Sequence, residues 1–140
     1  MNSGILPDNE TVEAFNNLKL NRSNAYMICK VNEAMTEIVV DKIGEKGAPL
    51  SEIVDCLPKD DGRYIVYDFD YETDENPPRK TNKLVLFLWV PSSAPSKRRF
   101  CTASSNDAFK KQCVGIQKEF QVSDKSELDH DRVRKDLLKA

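Results

Sequence analysis

The side chains with the most chemical potential in this chain are cations, and they are concentrated. Arg79, Lys80, Lys83, Lys97, Arg98, Arg99, Lys110, Lys111 and Lys118 share positions 79–118 with a single acid, Asp107. Nine cations against one acid leave this window at +8, and since the whole chain carries −2, the remainder carries −10. A molecule polarised in this way presents a positive face that steers it towards an acidic macromolecule. The acids show no matching catalytic arrangement. Tyr67, Asp68 and Asp70 place a phenol beside two carboxylates, but no glycine-rich phosphate cradle or metal-ligand spacing accompanies them. Such a group does not assemble a reaction and reads as structural. The one histidine, His130, stands between Asp129 and Asp131 near a helix start, where it is expected to be exposed. Cys29, Cys56, Cys101 and Cys113 are scattered without a C-x-x-C pair, which argues against a zinc site. Cys29, Cys101 and Cys113 sit within apolar periodicity and are expected to be buried, reduced thiols in a reducing compartment. The expectation is a binding protein with no metal or cofactor, and not an enzyme.

These groups need a scaffold, and 140 residues suffice for one domain, 1–140, with a core that requires no disulfide staple. No apolar run approaches the roughly 18 residues that cross a bilayer, and MNSGILPDNE has neither a basic region nor an apolar core of a signal peptide, so a soluble intracellular protein is expected. Val12, Phe15, Leu18 and Leu20 fall at helical spacing behind Pro7 and Asp8, predicting a helix over 11–20. Residues 25–31 and 36–43 read as a β-hairpin turning at Asn32-Glu33-Ala34 and ended by Gly44 and Gly47. A short helix over 49–57 follows, stopped by Pro58 and Asp60-Asp61-Gly62.

Over 64–71, Tyr64, Val66, Asp68 and Asp70 alternate with Ile65, Tyr67, Phe69 and Tyr71, the pattern of a strand. Residues 72–80 form a projecting connection, and 83–90 form a strand buried on both faces. Residues 98–103 are expected to be a fifth strand, whose alternation sends Lys97 and Arg99 to one side. Ser104 and Asp107 then form a capping box opening the longest helix, with Phe109, Cys113, Ile116 and Phe120 as its core stripe. On this reading Lys110 and Lys111 lie near the positive end of the helix dipole, a locally unfavourable choice that invites a functional explanation. A last helix over 131–139 buries Val133 and Leu137. The fold class is α/β (α+β): a mixed sheet of five to six strands with helices on both faces.

The segment WVPSSAP, 89–95, followed by SKRRFCTASSNDAFKKQCVGIQ, 96–117, resembles the signature of the actin-depolymerising factor/cofilin family. That signature reads W-[SA]-P-x-[ST]-A-P, a basic-x-basic hook, then Y-A-S-S-K-D-A, a hydrophobic residue and two basic ones. Ser3-Gly4, AFNNLKL at 14–20, MTEIVV at 35–40 and RYIVYDFDYET at 63–73 extend the likeness along the chain.

The resemblance implies the ADF-homology fold and a protein that binds actin monomers and filaments, prefers ADP-actin, and promotes severing and depolymerisation. The alternative it leaves open is a non-severing coactosin-like or glia-maturation-factor-like protein. It implies that Lys110 and Lys111 lie on a helix inserting between two actin subdomains, and that Lys97 and Arg99 contribute to actin binding. Lys97, Arg98, Arg99, Lys110 and Lys111 would also take phosphoinositides at a membrane surface. Ser3 and Gly4 match the family's N-terminal pair, where phosphorylation of the serine switches binding off by adding negative charge. Arg79, Lys80, Lys83, Lys135 and Lys139 would form the filament-binding surface, although the order Lys135-Asp136 reverses the acidic-basic order of many relatives. Phe100 and Thr102 replace the usual Met and Tyr. Nucleic acid is not an expected partner, because no aromatics interleave the basic patch. A monomer in the cytoplasm, at the actin cytoskeleton, with entry to the nucleus left open, completes the expectation.

Overall fold

In the computed structural model, which describes residues 4–139, one sheet with the strand order β1-β3-β2-β4-β5-β6 organises the chain. The elements are β1 (Leu6–Pro7), α1 (Asn9–Asn21), β2 (Asn24–Val31), β3 (Glu37–Glu45), α2 (Leu50–Cys56), β4 (Arg63–Glu72), β5 (Lys80–Trp89), α3 (Ser96–Ser104), α4 (Asn106–Gln112), β6 (Lys118–Val122) and α5 (His130–Lys139). The sheet is mixed: β3, β2, β4 and β5 pair antiparallel in succession, while β1 joins β3 and β6 joins β5 in parallel. Strand alternation sorts the side chains into two cores. Tyr64, Val66, Leu84, Leu86 and Leu88 face Phe15 and Leu18 of α1, Cys101 of α3 and Phe109 of α4. Ile65, Tyr67, Phe69, Val85, Phe87 and Trp89 face Leu50 and Ile53 of α2 and Val133 and Leu137 of α5. The expected mixed sheet with helices on both faces is the fold.

Local chemistry accounts for most element ends. Asp8 caps α1 by accepting the Thr11 backbone N–H at 2.8 Å, and Arg22 closes the helix in the left-handed region with φ 50. Thr11, Phe15 and Leu18 make its buried stripe. Leu20, expected among the core residues, is 74% exposed, because two residues of helix turn it away from Leu18. The β2–β3 turn is held by the Asn32 side chain, which accepts from the backbone of Thr36 and Glu37. Gly44 does not end the hairpin but lies inside β3, where a Cβ would stand 2.0 Å from a ring carbon of Tyr26. Its role is to let that ring cross the backbone.

The largest departure from the expected elements falls at 96–120. Residues 98–103 are not a strand; they belong to α3. Cys101 and Thr102 are adjacent and both buried, whereas Phe100 is 61% exposed. A helical stripe accommodates two neighbouring buried residues; strand alternation would split them between faces. Arg99, Ser105 and Phe109 donate to the carbonyls of Pro95, Cys101 and Ser105, so the hydrogen bonding runs from α3 through Ser105 into α4. The helix therefore starts at Ser96, and the expected Ser104–Asp107 capping box does not form: Ser104 is helical and Asp107 points into solvent, 85% exposed.

The expected stripe is cut after Cys113, since Gly115 takes φ 125 and the chain turns. Phe120 lies instead on β6, on the other face of the sheet, with its ring 5.5 Å from that of Phe87. α3 and α4 are thus the crossover that a parallel β5–β6 pair requires. β1 and β6 are the two strands that the sequence pattern did not announce.

Candidate functional site

A helix running from Ser96 to Gln112 with its buried stripe on Cys101, Ser105 and Phe109 must present its opposite side to solvent. Lys97, Phe100, Ala103, Asp107 and Lys111 occupy that side, each exposed and three or four residues apart. They form one ridge roughly 20 Å long at 1.5 Å per residue. The helical conformation overturns the idea that Lys97 and Arg99 share a side as alternate residues of a strand. Two residues of helix turn through roughly 200°, and the two side chains diverge. Arg99 folds back, donating to Ala94 O at 3.0 Å and to Ser96 Oγ at 3.2 Å.

Arg98 is tied into the protein. Its Nε and Nη2 meet the two oxygens of Asp61 at 2.8 and 3.1 Å, and its guanidinium also donates to Val31 O at 2.6 Å and Asn32 O at 3.0 Å. The Asp61 hydrogen bond outweighs partial burial and raises the Arg98 pKa further. Burial would raise the Asp61 carboxyl, but the hydrogen bonds from Arg98 and Arg63 prevail and hold it below the usual carboxylate range. Through these bonds the start of α3 is clamped to the β2–β3 turn and to the loop before β4.

Lys110 and Lys111 lie in the last turn of α4, not its first. The dipole there favours cations, so the local conflict inferred from the expected helix start does not exist. Lys110 is held by Glu119 of β6 at 2.7 Å and stands 3.7 Å from Asp107. The Glu119 hydrogen bond raises its pKa. Lys97 and Lys111 are exposed and make no ion pair among the described residues. β1 runs beside α4. Gly4 there takes φ 78, whereas Ser3 lies outside the described residues.

The second group of cations is spread over the hairpin end and α5. Arg79 is exposed in the connection before β5 and pairs with Glu75 at 3.5 Å. Lys80 and Lys83 leave opposite faces of β5, with Lys83 on the face that α5 covers. Lys135 and Lys139 are exposed and, with Lys118, Phe120 and Arg132, line an open cleft of about 500 Å³ between β6 and α5. Arg134, which the sequence reading did not single out, reaches the hairpin by donating from Nε to Glu72 O at 2.7 Å. His130 is more engaged than expected: its ring lies 4.6 Å from that of Phe69, and its Nε2 is 3.1 Å from Asp70 O.

The remaining polar groups have structural partners. Asp68 accepts from Arg22 and Asn82, each at 2.8 Å, Asp70 accepts from Arg22 at 3.2 Å, and the Tyr67 hydroxyl donates to Ala48 O at 3.0 Å. Cys29, Cys101 and Cys113 are buried and Cys56 is exposed, all four as free thiols. Two residues important to the ridge were missed in the sequence. Phe100 would have emerged from a helical rather than a strand period over 96–112, while nothing local marks Glu119.

A family model described as Cofilin/tropomyosin-type actin-binding protein matches residues 4–138. Actophorin of Acanthamoeba castellanii is 37% identical over 131 residues, covering 94% of this chain and 93% of that protein. The solved structure of a Streptomyces griseoflavus cofilin superposes with a TM-score of 0.86 at 33% identity, covering 98% of this chain and 99% of that one. Human coactosin-like protein shares the fold at a TM-score of 0.78 and 20% identity, covering 99% of this chain and 92% of that one. With a solvent-facing helical ridge on a mixed sheet and a family match over nearly its whole length, this chain belongs to the cofilin/tropomyosin-type actin-binding proteins.

Proposed function

We propose that this protein binds actin monomers and filaments, prefers ADP-actin, and promotes severing and depolymerisation at the cytoplasmic actin cytoskeleton, acting as a monomer. The observation that carries the reading is the ridge of α3–α4, which offers Lys97, Lys111 and the exposed aromatic ring of Phe100 on one side. Cations steer an acidic partner and an apolar anchor supplies affinity once water is expelled, the usual composition of a binding hot spot. Lys97, Arg99, Lys110 and Lys111, with Ser3 and Gly4, are the proposed monomer contacts. Arg79, Lys80, Lys83, Lys135 and Lys139 are the proposed filament contacts. Phosphorylation of Ser3 would place up to two negative charges on the segment that leads into β1 and so weaken attraction to an acidic partner. Phosphoinositides would compete for Lys97, Arg98, Arg99, Lys110 and Lys111. Lys97 and Lys111 should contribute most, because Arg98 and Lys110 already have carboxylate partners.

Replacing Lys110 and Lys111 together by Ala is expected to weaken actin-monomer binding more than tenfold; a change within twofold would remove the proposed central contacts. A second reading, a non-severing coactosin-like protein, shares the same fold. Imaging of surface-tethered, labelled ADP-actin filaments decides between them. Breaks along filaments support severing, shortening from the ends alone indicates a monomer-directed depolymeriser, and decoration without loss favours the second reading.

A further inference from the structure

We infer that Glu119 is a positioning residue for the ridge, itself anchored on Asn106 and fixing the Lys110 ammonium at the surface; this rests on the reading that α3–α4 meets actin. α4 continues the hydrogen bonding of α3 through Ser105 and stops at Gln112, so its end has no further helical turn to support it. It is held from outside by two charged side chains. From β6, the two oxygens of Glu119 accept from Asn106 Nδ2 and from Lys110 Nζ, the latter at 2.7 Å. From α1, Lys19 Nζ donates to Val114 O at 2.7 Å, just beyond the helix end, with its chain laid over Gly115. Asn106 and Lys110 are four residues apart and therefore share a helix face, so one carboxylate spans a full turn.

The sheet determines where that carboxylate stands. Glu119 pairs with Leu86 in the parallel β5–β6 ladder, and its neighbour Phe120 packs on the opposite face against Phe87. Alternation then directs Glu119 towards α4. Asn106 is buried and its Oδ1 has no hydrogen-bond partner, so its Nδ2 bond to Glu119 is the side-chain anchor of that turn. An ammonium has three donors, and a lysine already held by one carboxylate has less rotamer freedom to lose when a partner's carboxylate arrives. Glu119 thus acts through Lys110.

The test is a double-mutant cycle on affinity for ADP-actin monomers, using Glu119→Ala, Lys110→Ala and the double variant, with Glu119→Gln as the conservative replacement and thermal unfolding recorded for each. Glu119→Ala is expected to weaken binding threefold to tenfold in the otherwise unchanged protein but less than twofold in the Lys110→Ala background. Glu119→Gln should restore at least half of the loss. A purely structural Glu119 would weaken binding equally in both backgrounds and overturn the inference, as would tighter binding by Glu119→Ala, which would make Glu119 a competitor for Lys110. If Lys110→Ala weakens binding and neither Glu119 variant does, only the positioning role fails. If Lys110→Ala has no effect, the actin-facing reading fails and the inference with it. Should Glu119→Ala not fold, Glu119→Gln in both backgrounds decides the same question.

Discussion

Arg98 is one of three consecutive cations, and its structure predicts that removing it will cost stability more than binding. Arg98→Ala deletes two charge-assisted bonds to Asp61 and two bonds to the carbonyls of Val31 and Asn32. Hydrogen bonds to charged groups contribute roughly 1.5–3 kcal/mol each and are not additive. Two features hold the total towards the lower end. Arg98 and Asp61 side chains keep 18% and 19% exposure, and Arg63 still donates to Asp61 at 2.8 Å. A loss of about 3 kcal/mol follows, which for a chain of this size lowers Tm by roughly 10 °C. Arg98→Lys keeps the charge but lacks the fork that spans both Asp61 oxygens, so about half that loss is expected. Circular dichroism during heating and in urea reads both, with an unchanged m-value showing that only stability has moved. If Arg98→Ala melts within about 2 °C of the parent while losing affinity for phosphoinositide vesicles, the clamp is unimportant and Arg98 is a surface ligand.

Further outcomes follow from the same geometry. The Asp61 carboxyl has a depressed pKa in the folded protein, so its stabilising effect is complete above the ordinary aspartate pKa of 3.8 and is lost as pH falls through its folded value. Acid unfolding of Asp61→Asn should accordingly depend less on pH below 4 than that of the parent; an identical slope would refute the linkage. Gly44→Ala drives a methyl into the Tyr26 ring and should cost at least about 2 kcal/mol, measured by urea unfolding. Phe100→Ala removes an exposed ring and should leave stability within about 0.5 kcal/mol while weakening actin binding more than tenfold. Burial pushes the thiols of Cys29, Cys101 and Cys113 up, the last to about 12, so Ellman's reagent at pH 8 should find one fast thiol, Cys56, and the other three only on denaturation.

Where a segment's neighbours in sequence are also its physical constraints, the sequence was enough. Asp8 before Thr11, Phe15 and Leu18 determines α1, and strict alternation from Tyr64 to Tyr71 determines a two-faced strand. Val133 and Leu137 determine the inward face of α5, and the WVPSSAP and NDAFKK segments, read as a family resemblance, pointed to the fold. Residues 96–120 were different. A run such as KRRFCTASS has no periodicity strong enough to separate strand from helix; burial of the neighbours Cys101 and Thr102 together, against the sheet, settled it. Phe120 then left the helix because a parallel partner for β5 had to come from somewhere beyond the crossover.

The state of each cation was likewise decided in three dimensions. Arg98 and Lys97 are neighbours of the same chemical class, yet Arg98 meets Asp61, 37 residues away, while Lys97 faces solvent. Lys110 and Lys111 differ as well, because Glu119 holds the first in place and leaves the second without an ion pair among the described residues. Residue type sets the charge that a position carries. How that charge is held and presented depends on which carboxylates strand register and helix packing bring within about 3 Å, and that is a property of the tertiary structure.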